Sequence, residues 1–289
     1  MKSVAIIGPN GQLGKDLAKI FFRAGWEVKP ISHENIQVEN INSVKAALTA
    51  NKSDWIINTA AFHNVNKCEE DPEKAWLINS KGQFNVASIA RELKMKSVFI
   101  SSDYVFSGEK PEGSQYEETD FVSPINVYGH SKASGESATL MADPQNLVIR
   151  IASIFGAVGS SGKGGNFVET ILKKARVGDA LSVVNDITMS PTYTVDASKR
   201  ILTAMDKSVS GVIHASNSGS ATWFEFASEI LRISGVSTEL TATATNSDQV
   251  PRRPKNSALS TRTLDDFSDY SFSWKDGLKR YLVEKEYIS

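Results

Sequence analysis

Short apolar runs rich in β-branched residues alternate with segments of helical periodicity through the first half of the chain. The runs are "VAIIG", "WEVKPIS", "DWIINTAA", "KSVFISS" and "NLVIRIAS". Runs of this length and composition are typical of strands that are buried on both faces of a parallel sheet. Their alternation with helical segments predicts βαβ units. The pattern therefore predicts an α/β protein with a doubly wound parallel sheet.

The first crossover helix is the clearest, because its apolar residues recur at helical spacing and a glycine is placed to end it. These apolar residues are Leu13, Leu17, Ile20, Phe21 and Ala24, and the glycine is Gly25. Later, "LSVVND" and "GVIHAS" predict two further strands, and Thr222 with Glu225 matches a capping box that opens another helix. We therefore expect the sheet to gain strands late in the chain.

Two stretches lack clear periodicity. "GAVGSSGKGGNF" (156–167) is rich in glycine, and "ISGVSTELTATATNSDQVPRRP" (233–254) is rich in serine and threonine. We expect residues 1–155 to form the main domain, with late strands from about 181–215. Residues 156–180 and 216–289 are expected to form a smaller lobe that completes a cleft.

The composition excludes several classes of function. The 289 residues contain 32 Lys and Arg against 33 Asp and Glu, so the net charge of −1 indicates neither nucleic acid nor an anionic membrane as a partner. No run approaches the ~18 apolar residues of a membrane span. The single cysteine, Cys68, forms no internal disulfide, and no Cys/His cluster suggests a metal. We expect a cytoplasmic protein, and carboxylates at a subunit interface could still recruit Mg²⁺.

A glycine-rich loop, "GPNGQLG", directly follows the first strand and opens the first helix. Its glycines, Gly8, Gly11 and Gly14, would allow a tight turn, a close approach of the backbone to a pyrophosphate and close packing of helix on strand. The helix N-terminus would face the anion. The loop therefore predicts a dinucleotide.

The end of the second strand bears on which dinucleotide binds. An acidic residue about 20 positions after the glycines would bind the ribose of NAD, but this strand ends with Ser32 and His33. A small polar residue tolerates a 2′-phosphate, which favours NADP(H). Glu34 follows directly and leaves NAD(H) possible.

Tyr128 precedes Lys132 by four residues at the start of a predicted helix, and Ser102 ends a predicted strand before them. A neighbouring ammonium favours the phenolate of a tyrosine, so Tyr128 could act as a proton donor with a tuned pKa while a serine hydroxyl holds a carbonyl. A second pair, Tyr281 and Lys285, follows no serine-bearing strand and is interpreted as a solvated helix face.

Seven segments together resemble the dTDP-4-dehydrorhamnose reductase family, a branch of the extended short-chain dehydrogenases/reductases. They are "GPNGQLG", "INTAAFHNVNKCEEDPEKAWLINSKG", "SSDYVFSG", "SPINVYGHSKASGE", "NFVETIL", "SPTYTVDAS" and "VPRRPKNSALS". The resemblance covers nearly the whole chain. It implies a Rossmann domain over 1–155 and an oxidoreductase that reduces a keto sugar with a nicotinamide cofactor.

The resemblance also implies roles for individual residues. Ser102 would polarise the substrate carbonyl, Tyr128 would donate the proton, and Lys132 would lower the pKa of Tyr128 and hold the nicotinamide ribose. The other expected cofactor contacts are Gly8, Asn10, Gly11, Gln12, Leu13, Gly14, Ser32, Ala60, Ala61 and Asn79. The two alanines could equally be close packing, and Asn79 could simply fill a helix position.

The expected substrate is a nucleotide diphosphate sugar. Asp103 and Tyr104 follow Ser102 where dehydratases of the superfamily have Asp-Glu, which favours reduction over dehydration. The substrate contacts are expected to be Ser102, Asp103, Tyr104, Ile154, Asn166, Arg252 and Arg253, with Lys163 as a further cation. Arginine suits phosphate through its planar fork of donors, although an arginine pair beside prolines is as often an exposed loop.

Several positions depart from the family pattern and leave the sugar open. They are Gln37, Asn40, Asn66, Ile154, Ile187 and Met189. The first hypothesis is reduction of dTDP-4-dehydro-L-rhamnose to dTDP-L-rhamnose, by a possible homodimer. The alternatives are a non-catalytic, NADP-binding regulatory subunit of the methionine adenosyltransferase type, and an epimerase or reductase of another nucleotide sugar.

Overall fold

The computed structural model describes residues 1–158, 165–246, 248, 250–265 and 272–288. Its strands are β1 (Ser3–Ile7), β2 (Glu27–Ile31), β3 (Trp55–Asn58), β4 (Lys96–Ser102), β5 (Leu147–Ile151), β6 (Ile154–Phe155), β7 (Leu181–Val184), β8 (Thr188–Met189), β9 (Thr192–Tyr193), β10 (Gly211–His214), β11 (Ala221–Thr222) and β12 (Leu240–Thr243). Its α-helices are α1 (Gln12–Arg23), α2 (Ile41–Ala50), α3 (Val65–Glu70), α4 (Pro72–Trp76), α5 (Gly82–Glu92), α6 (Val127–Ala142), α7 (Phe167–Arg176), α8 (Thr194–Asp206), α9 (Trp223–Ser234), α10 (Arg262–Asp265) and α11 (Trp274–Glu284).

Six strands form the central sheet in the order β10-β5-β4-β3-β1-β2, and every neighbouring pair is parallel. The apolar residues of α1 and α8 pack on one face of the sheet, and those of α2 and α5 pack on the other. Strands covered on both faces need the near-continuous apolar runs that the sequence contains. The doubly wound α/β fold is therefore confirmed.

The two late strands differ in where they lie. Strand β10 joins the central sheet beside β5, as expected. Strand β7 was expected in the same domain, but it pairs with β12 in a separate two-stranded sheet. The physical reason is exposure: alternate residues of β7 are solvent-facing, which suits a strand with one open face and not the interior of a doubly covered sheet.

The smaller lobe has its own core, built from α7, α9 and α11. The capping box of Thr222 and Glu225 opens α9 as predicted, and Gly235 ends that helix with a positive φ of 66°. The interpretation of Tyr281 as part of a solvated face was wrong. Its ring is fully buried, because this face of α11 packs into the small-lobe core, where Tyr281 lies edge-on against Phe155.

The segment 250–261 returns from the small lobe to the main domain. Its backbone is hydrogen-bonded to the backbone of the loop after β4. Asn256 pairs with Gly108, and both Ala258 and Ser260 pair with Tyr116. A Cβ on Gly108 would lie 2.5 Å from the backbone nitrogen of Lys255, and the φ of Gly108 is +83°, so this close approach requires glycine. The segment thereby places Ser257 against Asp103, directly after the end of β4.

No helix in the described part of the chain is long and apolar enough to cross a membrane. Within the same residues, no group of three or more His, Cys, Asp and Glu side chains is placed to hold a metal ion.

Candidate active site

A cleft of about 960 Å³ lies at the carboxyl ends of β1, β3, β4 and β5 and extends to the small lobe. This edge is where ligands bind in open parallel sheets. It is lined by the predicted residues Gly8, Asn10, Gly11, Gln12, Leu13, Gly14, Ser32, Ala60, Ala61, Ser102, Asp103, Tyr104, Tyr128, Lys132, Ile154, Asn166 and Arg253. Asn79 and Arg252 do not line it, and Lys163 lies outside the described residues.

The glycine loop is packed too tightly for side chains. The φ of Gly8 is +79°, and a Cβ on Gly14 would lie 2.1 Å from the carbonyl oxygen of Gly8. Helix α1 begins after Gly11, and no side chain caps its first N–H groups. These groups and the positive end of the helix dipole are suited to an anion. The loop therefore fits the pyrophosphate of a dinucleotide.

The far end of the cleft is formed by the residues after β2. Ser32 and His33 line it, and the Ser32 hydroxyl accepts a hydrogen bond from the Asn35 amide at 3.0 Å. The side chain of Glu34 is exposed and does not line the cleft. Glu39 lines this end and was missed, because it follows a short 3₁₀ turn that the strand pattern did not indicate.

Asn79 supports the site from behind. It is fully buried in a π-helical stretch, Leu77–Lys81. Its Oδ1 accepts from the backbone of Phe62, and its Nδ2 donates to the Phe62 carbonyl and to the Ser131 hydroxyl. These bonds fix the loop after β3 against the helix that carries Tyr128. Its direct contact with a cofactor stays a prediction.

Tyr128 lies in the first turn of α6, and Asn126 caps this helix by accepting from the Gly129 backbone at 2.8 Å. The hydroxyl of Tyr128 interacts with Ser102. Burial raises the pKa of Tyr128, which outweighs the lowering by Ser102. The phenol is therefore protonated across the neutral range, as a proton donor requires.

Lys132 lies one turn further along α6, and its ammonium donates to the carbonyl of Ile100 at 2.6 Å. Burial lowers the pKa of Lys132 to about 7, while Glu136 acts in the opposite direction. The lowering of the Tyr128 pKa by Lys132 stays a prediction, and burial acts against it because it disfavours the charged form of both groups.

Ser102 ends β4, and its hydroxyl donates to Asp103 Oδ1 at 2.9 Å and accepts from the Tyr104 backbone at 3.2 Å. The second carboxylate oxygen, Oδ2, accepts from the Ser257 hydroxyl at 2.6 Å. Burial raises the pKa of Asp103 to about 6. The sequence analysis predicted a contact between Asp103 and the substrate. It did not predict the hydrogen bond from Ser257, which lies 154 residues away.

Two arginines were expected to meet the substrate's charge, and the structure separates them. Arg253 lines the cleft, interacts with the Tyr104 hydroxyl and donates to Asn66 Oδ1 at 3.4 Å. Its Nε is buried and has no hydrogen-bond partner within the described part of the chain. Arg252 has an exposed side chain, and only its backbone carbonyl is used, as an acceptor for Asn126.

Ile154 and Asn166 line the small-lobe side of the cleft. The carbonyl of Ile154 accepts from the Gln12 side chain at 3.0 Å, which ties the glycine loop to this wall. Asn166 caps α7, and both N–H donors of its amide are used, one by the Gly156 carbonyl and one by the Tyr281 hydroxyl. Its predicted contact with substrate would therefore have to use another atom.

Several further cleft residues were not among the predicted site residues. They are His63, Lys74, Phe167, Thr170, Trp223 and Phe226. Phe167 and Trp223 lie at the starts of two small-lobe helices, with ring centroids 4.6 Å apart. Only the capping box before Trp223 gave a local signal, and it indicated a helix start and not a binding wall.

The comparisons with known proteins agree over the whole chain. The family model described as RmlD substrate binding domain matches residues 1–287. The spore coat polysaccharide biosynthesis protein SpsK of Bacillus subtilis is 34% identical over 288 residues, with 99% of this chain and 98% of that protein covered.

Two solved structures are also similar, and both are of dTDP-4-dehydrorhamnose reductases. That of Clostridium acetobutylicum has a TM-score of 0.91 at 33% identity and covers 98% of this chain and 99% of its own. That of Bacillus anthracis, solved in complex with NADP, has a TM-score of 0.91 at 32% identity and covers 98% of this chain and 100% of its own. The chain therefore belongs to the RmlD substrate binding domain family, the family of the dTDP-4-dehydrorhamnose reductases, as its sequence motifs predicted.

Proposed function

We propose that this protein is an NADPH-dependent oxidoreductase that reduces the 4-keto group of a nucleotide-activated 6-deoxy sugar, with dTDP-4-dehydro-L-rhamnose as its substrate. The observation that carries the proposal is the position of the protonated Tyr128 hydroxyl beside Ser102, within one cleft that runs from the glycine loop to Arg253. Family membership supports the sugar class.

Tyr128, Ser102 and Lys132 have separate roles in the proposed carbonyl reduction. NADPH, when bound, supplies a hydride to the carbonyl carbon. Tyr128 gives its phenolic proton to the carbonyl oxygen and regains one from water. Ser102 donates a hydrogen bond to that oxygen, and Lys132 orients the cofactor ribose. The C4 carbonyl would become an alcohol, with the hydride on its carbon and the Tyr128 proton on its oxygen.

The substrate end of the cleft suits a diphosphate attached to two rings. Arg253 has a planar fork of donors and a buried Nε that has no partner among the described residues. A phosphate oxygen would therefore satisfy a polar group that is otherwise costly to bury. The aromatic pair of Phe167 and Trp223 offers flat apolar surface in the same cleft as Arg253. Such surface suits a sugar or a base.

NADP(H) is favoured over NAD(H) by the residues after β2. Ser32 and His33 are small or basic groups at the position where a ribose-binding carboxylate would select NAD. The side chain of Glu34, which could have served that purpose, points to solvent. The Bacillus anthracis structure contains NADP, which agrees with this preference.

The test is the loss of NADPH absorbance with enzymatically generated dTDP-4-dehydro-L-rhamnose, run beside NADH and beside a reaction without sugar. Sugar-dependent oxidation that is faster with NADPH is the expected result. Tight NADPH binding without oxidation of this sugar, followed by oxidation with a different nucleotide keto sugar, would overturn the substrate. Binding without oxidation of any keto sugar would overturn the reductase itself.

A further inference from the structure

Asp103 is a buried carboxylate whose two oxygens are held by two serine hydroxyls from distant parts of the chain. It is 3% exposed, and its Oδ1 and Oδ2 accept from Ser102 and Ser257. Ser257 is 2% exposed and is fixed by a hydrogen bond from its backbone to Thr188. This arrangement has a defined geometry and lies directly behind the proposed carbonyl-binding hydroxyl.

The carboxylate has no ion-pair partner among the described residues. Burial raises its pKa to about 6, although both serines act to lower it. The titratable groups that face it are Tyr104, on its own 3₁₀ turn, and Tyr128, on α6. From the segment that carries Ser257, the cation Arg253 interacts with Tyr104. Asp103 can therefore change its protonation state without breaking a salt bridge.

The state of Asp103 decides where the Ser102 proton goes. A hydroxyl has one proton and two lone pairs. When Asp103 is ionised, its oxygens can only accept hydrogen bonds. Ser102 therefore donates its single O–H group to Asp103, and none remains to donate to a substrate carbonyl. Tyr128 then donates to Ser102, because Ser102 has no further proton to give in return.

When Asp103 is protonated, the direction reverses. Its carboxyl can donate to Ser102 Oγ, which also accepts from the Tyr104 backbone. Both lone pairs of Ser102 are then filled, and its own proton is free to point into the cleft. The Tyr128 hydroxyl must also find another acceptor. Both hydroxyls are thus directed at the same carbonyl oxygen.

We propose that Asp103 is a positioning residue that acts through Ser102, and that its protonated form, held in place by Ser257, turns the Ser102 and Tyr128 hydroxyls toward the substrate carbonyl. This rests on the proposed reduction. Asp103 takes up one proton from solvent and forms one O–H bond, and the Ser102 and Tyr128 hydroxyls then rotate without breaking their own O–H bonds. The structure thereby assigns Ser257 a role in the reaction.

The experiment is the pH profile of kcat, from about pH 5 to about pH 8.5, for the wild type and for Asp103→Asn. The wild type is expected to lose up to about tenfold in kcat per pH unit above the ionisation of Asp103. Asparagine is isosteric, cannot ionise and keeps an N–H donor for Ser102, so this decline should disappear in the variant. Superimposable profiles of the two proteins would overturn the proposal.

Variants of Ser257 offer an independent test of the proposal. Ser257→Ala removes a donor to the ionised carboxylate, so the midpoint of the decline should move up by about one pH unit. Ser257→Thr keeps a hydroxyl and should restore the wild-type midpoint. Ser260→Ala, a buried serine three residues further along the same segment, is the control and should leave the midpoint unchanged. An unmoved midpoint in Ser257→Ala would contradict the assignment.

The measurements also separate this inference from the proposed function. NADPH affinity of each variant, measured by fluorescence, should remain within about threefold of the wild type, because neither Asp103 nor Ser257 touches the glycine loop. If the wild type binds NADPH but reduces no keto sugar, the proposed function fails. If it reduces the sugar with a profile that Asp103→Asn does not alter, only the positioning role fails.

Discussion

The ammonium of Lys132 is bonded to the backbone carbonyl of Ile100, at 2.6 Å, and burial lowers its pKa to about 7. In the unfolded chain this pKa would be about 10.4. The unfolded state therefore binds more protons between these values, and the stability of the folded protein rises with pH across that window.

For Lys132→Met we expect the rise of folding stability with pH that Lys132 causes to vanish. Between about pH 7 and about pH 9.5 the wild type should gain on the order of 3 kcal/mol relative to the variant in the free energy of unfolding, measured with urea. Lys81→Met, at an exposed lysine, is the control. Parallel pH curves for wild type and Lys132→Met would contradict the lowered pKa.

Tyr128→Phe keeps the ring and removes the proton donor. We expect kcat to fall by about 10²–10⁴, the usual contribution of a general acid. NADPH affinity should fall by less than about tenfold, since at most one hydrogen bond is lost. Tyr287→Phe, at a tyrosine that does not line the cleft, should behave as the wild type. Turnover of Tyr128→Phe close to wild type would reject Tyr128 as the proton donor.

Gly14→Ala tests the packing of the glycine loop. The added Cβ would lie 2.1 Å from the Gly8 carbonyl oxygen, whereas the same change at Gly11 places it at an ordinary 3.4 Å. Thermal unfolding should show Gly14→Ala destabilised by about 1–3 kcal/mol, with NADPH affinity reduced. Gly11→Ala should stay within about 1 kcal/mol of the wild type. Equal stability of the two variants would mean that the loop is not sterically constrained.

Arg253→Gln should raise KM for the sugar nucleotide about 10–100-fold with a smaller effect on kcat, because it removes a charged donor from the binding end of the cleft. Arg253→Lys should recover only part of this, since it lacks the planar fork. Arg252→Gln is the matched control, because the Arg252 side chain is exposed and the variant keeps the backbone carbonyl that Asn126 uses. The same KM for both glutamine variants would exclude the role of Arg253.

Ser32→Asp should shift the preference from NADPH toward NADH. A carboxylate at this position would repel a 2′-phosphate and could hydrogen-bond to a free ribose hydroxyl. We expect the ratio of kcat/KM for the two cofactors to change by about tenfold or more, which corresponds to about 1.4 kcal/mol. Ser137→Asp adds the same charge on the exposed face of α6 and should leave the ratio unchanged. An unaltered ratio in Ser32→Asp would place the 2′-phosphate elsewhere.

The parts of the fold and site that the sequence predicted are those with local signals. The apolar runs of β1, β3, β4 and β5 reflect burial on both faces, and the spacing of Gly8, Gly11 and Gly14 reflects one tight turn. Tyr128 and Lys132 are adjacent because a helix brings residues four apart onto one face. In each case the residues that interact are neighbours in the sequence.

The remainder depends on contacts between distant residues. No pattern near Asp103 or Ser257 indicates that their side chains meet. Tyr281 and Lys285 have the same spacing as Tyr128 and Lys132, yet Tyr281 packs into the small-lobe core, because the surroundings of a helix decide which of its residues are buried. Strand β7 has a clear apolar pattern, but its partner β12 has mostly exposed residues and was not anticipated.

The return of segment 250–261 to the end of β4 has a consequence for protein synthesis. The ribosome releases the glycine loop, Ser102 and Tyr128 in the first half of the chain, whereas Arg253 and Ser257 emerge near its end. A nascent chain can thus contain the whole glycine loop, Ser102 and Tyr128 before the segment that adds Arg253 to the cleft has been made. A chain that stops before residue 250 would lack both Arg253 and the hydrogen bond from Ser257 to Asp103.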